Sequence, residues 1–255
     1  MMPVRCLMVT LRHFVWRDRM KPEIYEKYKH LFTSQLMMGP NTIRLLDEMV
    51  TRYPLENRTR MMDLGCGTGL SSLYLAQETD ASIFAVDLWI GATDNATRFA
   101  AWQVEDRVIP IHADARELPF ADKYFDAIVS VDAYHYFGCD GAFFEQKVLP
   151  LVKAGGQVLI VVPGLKAEYG DDVPPLMQEW AGDEHALFHS CDWWKKTIGA
   201  HEDIATVEVV ELTSGDLAWQ EWFASGHQYG AQDQAFFDRG IGQYLNFVGI
   251  AVTKK

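Results

Sequence analysis

Met61–Ala76, MMDLGCGTGLSSLYLA, is the stretch on which the fold turns. An apolar approach leads to one acid, Asp63, then to the glycines Gly65, Gly67 and Gly69, then to a run of helical composition. Glycines this close together let another group approach the backbone, or take left-handed conformations that other residues resist. Strand, glycine turn and helix in that order form the head of an α/β unit in which nucleotide-type ligands are held.

The alternation continues outward. Pro40 and Asn41 give start signals for a helix over Thr42–Val50, and RMMDL then predicts a short buried strand. Beyond the LSSLYLAQE helix, SIFAVDLW predicts a strand, GATDNATRFAAWQV a helix, RVIPIHAD a strand and YFDAIVSVD a strand. GAFFEQKVLPLV then predicts a helix and GGQVLIVVPG a strand. Strands that are nearly all apolar, alternating with helices, indicate a doubly wound α/β fold with a parallel sheet covered on both faces. The rhythm breaks at Lys166–Gly199, which predicts a helical insertion over one end of the sheet. Two more strands, IATVEVVEL and YLNFVGIAV, are separated by the aromatic LAWQEWFASGHQYG.

The 255 residues suit one large domain or a domain with an insertion, and the formal net charge of -12 makes nucleic acid a poor substrate. Cys6, Cys66, Cys139 and Cys191 are scattered and form no CxxC pair, so neither a disulfide framework nor a common zinc motif is expected, and a cytoplasmic location is. No apolar run is long enough to span a bilayer. MMPVRCLMVTLRHFVWRDRM has no clean apolar core followed by a small-residue cleavage site, and reads as an extension ahead of a start at Met20.

In an open α/β sheet the ligand lies beyond the carboxyl ends of the strands, and four predicted strands end in an acid: Asp63, Asp87, Asp114 and Asp132. Asp also terminates strands well, which accounts for any one of these positions but less easily for all four. Asp87 follows the glycine loop at about the spacing at which an acid accepts ribose hydroxyls, implying an adenosine-containing ligand. The loop reads D-x-G-x-G-x-G with Leu70 next, so it lacks the G-x-G-x-x-G spacing of dinucleotide sites, and no Gly-Lys-Ser or Gly-Lys-Thr is present to bind phosphate.

MMDLGCGTG, Asp87 closing IFAVD, HADARELPF and FDAIVSVDAYHYF together resemble the class I S-adenosylmethionine-dependent methyltransferases, in particular the small-molecule branch with quinone C-methyltransferases and phosphoethanolamine N-methyltransferases. The resemblance spans roughly residues 41–164. It implies a Rossmann-like seven-stranded sheet, mostly parallel with an antiparallel last strand, and helical lid insertions at about 165–199 and 213–240. It also implies that residues 1–40 form an N-terminal extension and cap helix and 41–255 the methyltransferase domain. By the same resemblance Gly65, Cys66, Gly67, Thr68 and Gly69 lie against the cofactor's methionine part, with Asp63 supporting its ammonium. Asp87 accepts the ribose hydroxyls, Leu88 or Trp89 flanks the adenine, Asp114 and Ala115 read its edge, and Ser130 and Val131 close beneath the sulfonium. An acidic pocket suits a ligand with a sulfonium and an ammonium but no phosphate.

For the methyl acceptor, a small molecule, the candidates follow the fourth strand. Asp132 and His135 are candidate catalytic groups, flanked by Tyr134 and Tyr136, and an imidazole that titrates near working pH can deprotonate an amine, hydroxyl or thiol. Related enzymes pair a histidine here with an N-terminal tyrosine, for which Tyr25 and Tyr28 are available. If Asp132 converges with aromatic faces, a cationic amine is favoured. Trp180, Phe188, Trp193, Trp194, Trp219 and Trp222 are either an apolar lid or the insertion's own small core. His185, His189 and Cys191, with His135 or Cys139, offer metal-type spacing without a second matched pair, and no metal is assigned. A nicotinamide-dependent oxidoreductase and a non-catalytic S-adenosylmethionine-binding protein remain as alternatives.

Overall fold

The computed structural model describes residues 20–199 and 201–255, so the extension expected ahead of Met20 lies outside the described residues. Seven strands form one sheet in the order β3-β2-β1-β4-β5-β7-β6. They are β1 (Arg60–Leu64), β2 (Ser82–Asp87), β3 (Val108–His112), β4 (Phe125–Val131), β5 (Val152–Leu165), β6 (Ile204–Glu211) and β7 (Leu245–Lys254). The first five pair in parallel, and β7 runs antiparallel to both β5 and β6. This is the doubly wound, mostly parallel sheet that the strand pattern implied, with the antiparallel last strand that the resemblance implied.

Because side chains alternate across a strand, each apolar strand feeds two cores. Met61, Ala127, Val129, Leu159, Val161 and Phe247 enter one, with helices α2 (Thr42–Arg52), α3 (Leu70–Glu78) and α8 (Gly215–Ala224) packed over them. Met62, Ile128, Val158, Ile160, Val248 and Ile250 enter the other, against Phe144, Val148, Trp194 and Ile198. Two further helices complete the first part of the chain, α1 (Pro22–Tyr28) and α4 (Ala92–Ala101).

The helix expected over GAFFEQKVLPLV is broken up. A single α-turn, α5 (Gly141–Phe143), passes into a π-turn over Phe144–Val148 and a 3-10 turn over Leu149–Leu151. Pro150 brings no N–H and a fixed φ, which ends regular helix there. The expected insertion also divides. Helix α6 (Pro175–Ala181) and the turn after it form a small satellite core with Leu165, Met177, Phe188, Ile241 and Leu245. Helix α7 (Cys191–Ile198) instead packs onto β6 and β7, with Trp194 fully buried in the second core, so it is a sheet-covering helix rather than part of a lid. Helix α9 (Gln228–Asp238) follows α8.

The N-terminal part of the fold is clamped by a buried ion pair. Arg44 donates from Nε to Glu221 Oε2 at 2.7 Å and from a terminal nitrogen to Oε1, while Asn41 Nδ2 donates to the same carboxylate at 2.7 Å. Tyr28 and Lys27 of α1 both donate to Glu78 at the end of α3, each at 2.7 Å. Among the described residues no helix is long and apolar enough to cross a membrane.

Gly69 begins α3 at φ 90°, and a Cβ there would meet the Phe99 ring. Both the left-handed backbone and the packing oppose a side chain, so Gly69→Ala is expected to cost about 2–4 kcal/mol of stability, read by urea denaturation. An unchanged midpoint would show that Phe99 swings aside without cost.

Candidate functional site

A cavity of about 340 Å³ opens beyond the carboxyl ends of β1, β2, β3 and β4. Its floor is the glycine loop, Gly65, Cys66, Gly67 and Thr68. The next strand ends contribute Asp87, Leu88 and Trp89, then Asp114, Ala115 and Arg116, then Val131, Asp132 and Ala133. The volume falls in the range of small-molecule and cofactor sites, and the position is the one expected for an open α/β sheet.

Asp87 organises the loop. Its Oδ2 accepts from the Gly67 N–H at 2.7 Å, and its Oδ1 accepts from the N–H groups of Trp89 and Ile90, each at 2.8 Å. A carboxylate offers about four lone-pair sites, so one remains on Oδ2 for a ligand hydroxyl. Asp63 lies beneath the loop, wholly buried, and does not line the cavity. Its Oδ2 accepts from Ser71 and Ser72, each at 2.6 Å, while Oδ1 has no partner. Burial raises its carboxyl to about 6, against the lowering effect of the two hydroxyls and with a further push from Asp87. Asp114 accepts from the Arg116 N–H at 2.8 Å, and the Arg116 guanidinium at the cavity rim lies 3.4 Å from the same carboxylate.

Asp132 is the carboxyl facing the cavity that is pushed furthest from its ordinary range. It sits one residue past β4 at φ 59°, a left-handed backbone tolerated by Asp and Asn better than by most residues. Its carboxyl has no hydrogen-bond or ion-pair partner among the described residues, and burial, with a smaller contribution from Asp233, pushes it up to about 8. Gly39 lies so close that a Cβ there would collide with Asp132 Oδ2.

The remaining sequence candidates fall into two groups. Val131 joins the cavity wall, but Ser130 is turned away and donates to the Leu64 carbonyl at 2.7 Å, tying β4 to β1. Gly69 caps α3 and packs on Phe99 outside the cavity lining. Cys66 is buried and its thiol is pushed well above the usual range, chiefly by burial, so it fills the loop and is no nucleophile. His135 is 2% exposed and outside the lining, and burial drops its imidazole to about 3, too weak a base for the role given to it. Its ring lies 4.1 Å from Tyr136 and 5.8 Å from Phe188, with Nδ1 unpartnered. Tyr28 is spent on Glu78, and Tyr25 lies beside Phe32 and under the Arg44 guanidinium. Neither tyrosine lines the cavity, so the histidine–tyrosine pairing is not formed.

From the N-terminal side it is Leu36, Met37, Met38, Gly39, Pro40 and Thr42 that wall the cavity. Thr68 Oγ1 donates to the Leu36 carbonyl at 2.5 Å, fastening this loop to the glycine loop. The signal for it was LMMGP, an apolar run stopped by Gly-Pro between two helices. Tyr136 completes the mouth, its ring 5.2 Å from Trp89.

His185 Nδ1 lies 2.6 Å from the Gly182 carbonyl, while His189 stacks on Trp193 at 3.6 Å and faces Glu168. Among the described residues no group of His, Cys, Asp and Glu is arranged to hold a metal ion.

Residues 61–156, from β1 into β5, match the family model described as a methyltransferase domain. With the sheet topology and the glycine loop, this match supports the resemblance to class I S-adenosylmethionine-dependent methyltransferases that the loop and its companion motifs carry. Among curated proteins it is similar to 27-O-demethylrifamycin SV methyltransferase of Amycolatopsis mediterranei, 31% identical over 135 residues that cover 50% of this chain and 49% of that one. Such matches span about half the length of those relatives or less. Among solved structures it resembles the 4+2 cyclase SpnF, with a TM-score of 0.66, 19% identity, and coverage of 91% of this chain and 94% of that one. It also resembles phosphoethanolamine N-methyltransferase 2 of Haemonchus contortus in complex with S-adenosyl-L-methionine, with a TM-score of 0.65, 20% identity, and coverage of 96% and 60%.

Proposed function

We propose that the protein transfers a methyl group from S-adenosylmethionine to a small-molecule acceptor in aqueous cytoplasm, and that the acceptor is an amine. One observation carries the reading: a glycine loop braced by Asp87 and a carboxyl without a partner, Asp132, converge on a single cavity. The cavity suits this cofactor. Among the described residues it is acidic, the Arg116 guanidinium is engaged by Asp114, and nothing in the loop is built for phosphate.

On this reading Gly65, Cys66, Gly67 and Thr68 hold the methionine part, and Asp87 accepts a ribose hydroxyl at its remaining lone pair. Leu88, Trp89, Asp114 and Ala115 surround the adenine, and Val131 lies beneath the sulfur. When bound, the cofactor supplies a methyl group on a positively charged sulfur. Asp132 in its ionised form accepts the proton of an ammonium acceptor: pushed up to about 8, the carboxyl is mostly protonated in the ligand-free cavity at neutral pH, and a cationic acceptor beside it favours the ionised form, a stronger base than a solvated carboxylate. Met37, Met38, Tyr136 and Phe137 exclude water from the reacting pair.

The test is to incubate the full chain with methyl-labelled S-adenosylmethionine and a panel of amines, alcohols and phenols. Label appearing in amine products supports the reading. Turnover only on oxygen or carbon acceptors removes the amine assignment, and cofactor binding without label transfer to any class removes methyl transfer.

A further inference from the structure

Most polar side chains around the cavity are already spent within the protein. Asp87 braces three loop N–H groups, Thr68 Oγ1 donates to the Leu36 carbonyl, Ser71 Oγ donates to Asp63, and Arg116 is paired with Asp114. A ligand rich in hydroxyls, or carrying a phosphate, would lose its hydration here and find few partners in exchange.

The apolar side chains show the opposite pattern. Met38, Leu88, Trp89 and Tyr136 all stand exposed, and all four border this one cavity. They come from three separate segments: the loop before α2, the end of β2 and the turn after β4. The other large apolar side chains exposed among the described residues, Ile109, Leu217 and Tyr229, are not part of its lining. Apolar surface gathered from three segments onto one concave rim marks a ligand surface.

The rim is also continuous with the acceptor end of the cavity. A Cβ at Gly67 would lie 3.0 Å from the Met38 sulfur, which places Met38 over the glycine loop, and the next residue, Gly39, packs against the Asp132 carboxyl. Tyr136 closes the turn that begins two residues after Asp132, and its ring meets Trp89 at 5.2 Å. If adenine covers Leu88 and one side of Trp89, Met38 and Tyr136 are left as apolar surface beside Asp132.

We propose that the acceptor is an amphiphile, with its amine at Asp132 and an apolar body lying on Met38 and Tyr136. This rests on the reading of the cavity as a methyl-transfer site and adds to it the class of acceptor. A thioether and an aromatic ring both pack against aliphatic or aromatic groups, so the rim selects for apolar area rather than for one ring system.

The probes are n-alkylamines of about two, four, six and eight carbons, titrated calorimetrically into the full chain saturated with S-adenosylhomocysteine. Each added methylene is expected to tighten binding about threefold in the wild type, as its surface leaves water. In the Met38→Ser, Tyr136→Ser double variant, also saturated, the gain per methylene is expected to fall below about 1.5-fold. Both side chains are exposed, so neither substitution removes core packing. Affinities that do not rise with chain length in the wild type overturn the proposal, and so does a gradient that survives the double substitution. The n-alkanols of the same lengths are run in parallel, and equal binding by them overturns the amine head of the amphiphile. Failure of S-adenosylhomocysteine itself to bind would instead overturn the cofactor reading beneath it.

Discussion

Replacing Asp132 by asparagine is expected to make the ligand-free protein more stable at alkaline pH while removing methyl transfer. In the native state the carboxyl is pushed up to about 8, mainly by burial, whereas in the unfolded chain it titrates near the usual 3.9. Between those values the native state holds a proton that the unfolded state has released. Stability therefore falls as pH rises through that window, and the full penalty is present above it. The full shift corresponds to about 6 kcal/mol, and for a carboxyl at the edge of a cavity, where solvent screens it, about 2–3 kcal/mol is expected. Asparagine carries no such penalty, nearly matches the shape and accepts the left-handed backbone at this position. The variant should match the wild type near pH 4 and exceed it by about 2–3 kcal/mol near pH 9 in urea denaturation. Its methyl-transfer rate should fall about 10²–10⁴-fold, the usual worth of a positioned base. A variant that is no more stable at high pH, or that keeps full activity, would show that Asp132 is an ordinary solvated carboxylate.

The second large effect is expected at Asp87. Substitution by alanine strips the acceptor from three backbone N–H groups, those of Gly67, Trp89 and Ile90. The loop then loses its brace as well as its acceptor for a ribose hydroxyl. Each hydrogen bond to a charged acceptor is worth about 1.5–3 kcal/mol, so S-adenosylmethionine affinity should fall at least about a hundredfold. Asp87→Asn keeps one oxygen and should fall between alanine and the wild type. Affinity unchanged in the alanine variant would place the cofactor away from this loop.

The elements nearest the glycine loop were legible to the residue. β1 spans RMMDL and α3 spans LSSLYLAQE as the pattern implied, because the glycines mark the junction between a short apolar run ending in an acid and a segment of helical composition. The antiparallel β7 followed only from family resemblance, since YLNFVGIAV reads the same in either direction of pairing. What was hidden depends on long-range packing. Trp193 and Trp194 fitted either an apolar lid or the insertion's own small core, yet Trp194 faces the second core beside Tyr134, at a ring distance of 5.9 Å. In the same way, His135 has the residue type of a base, but its imidazole is neutralised by burial, which a linear pattern does not report. The bonds from Trp180 and Trp222 to Asp233 join residues far apart in the chain and leave no local motif, and the Leu36–Pro40 wall leaves only the LMMGP run, which does not report its bond from Thr68.

The central claim, that this cavity holds S-adenosylmethionine, is tested most directly by calorimetric titration of the full chain with S-adenosylmethionine and S-adenosylhomocysteine, beside the Asp87→Ala protein. The account predicts one site of micromolar affinity for both ligands in the wild type and none measurable in the variant. A folded wild-type protein that gives no binding heat with either ligand, alone or with amine acceptors present, would contradict it.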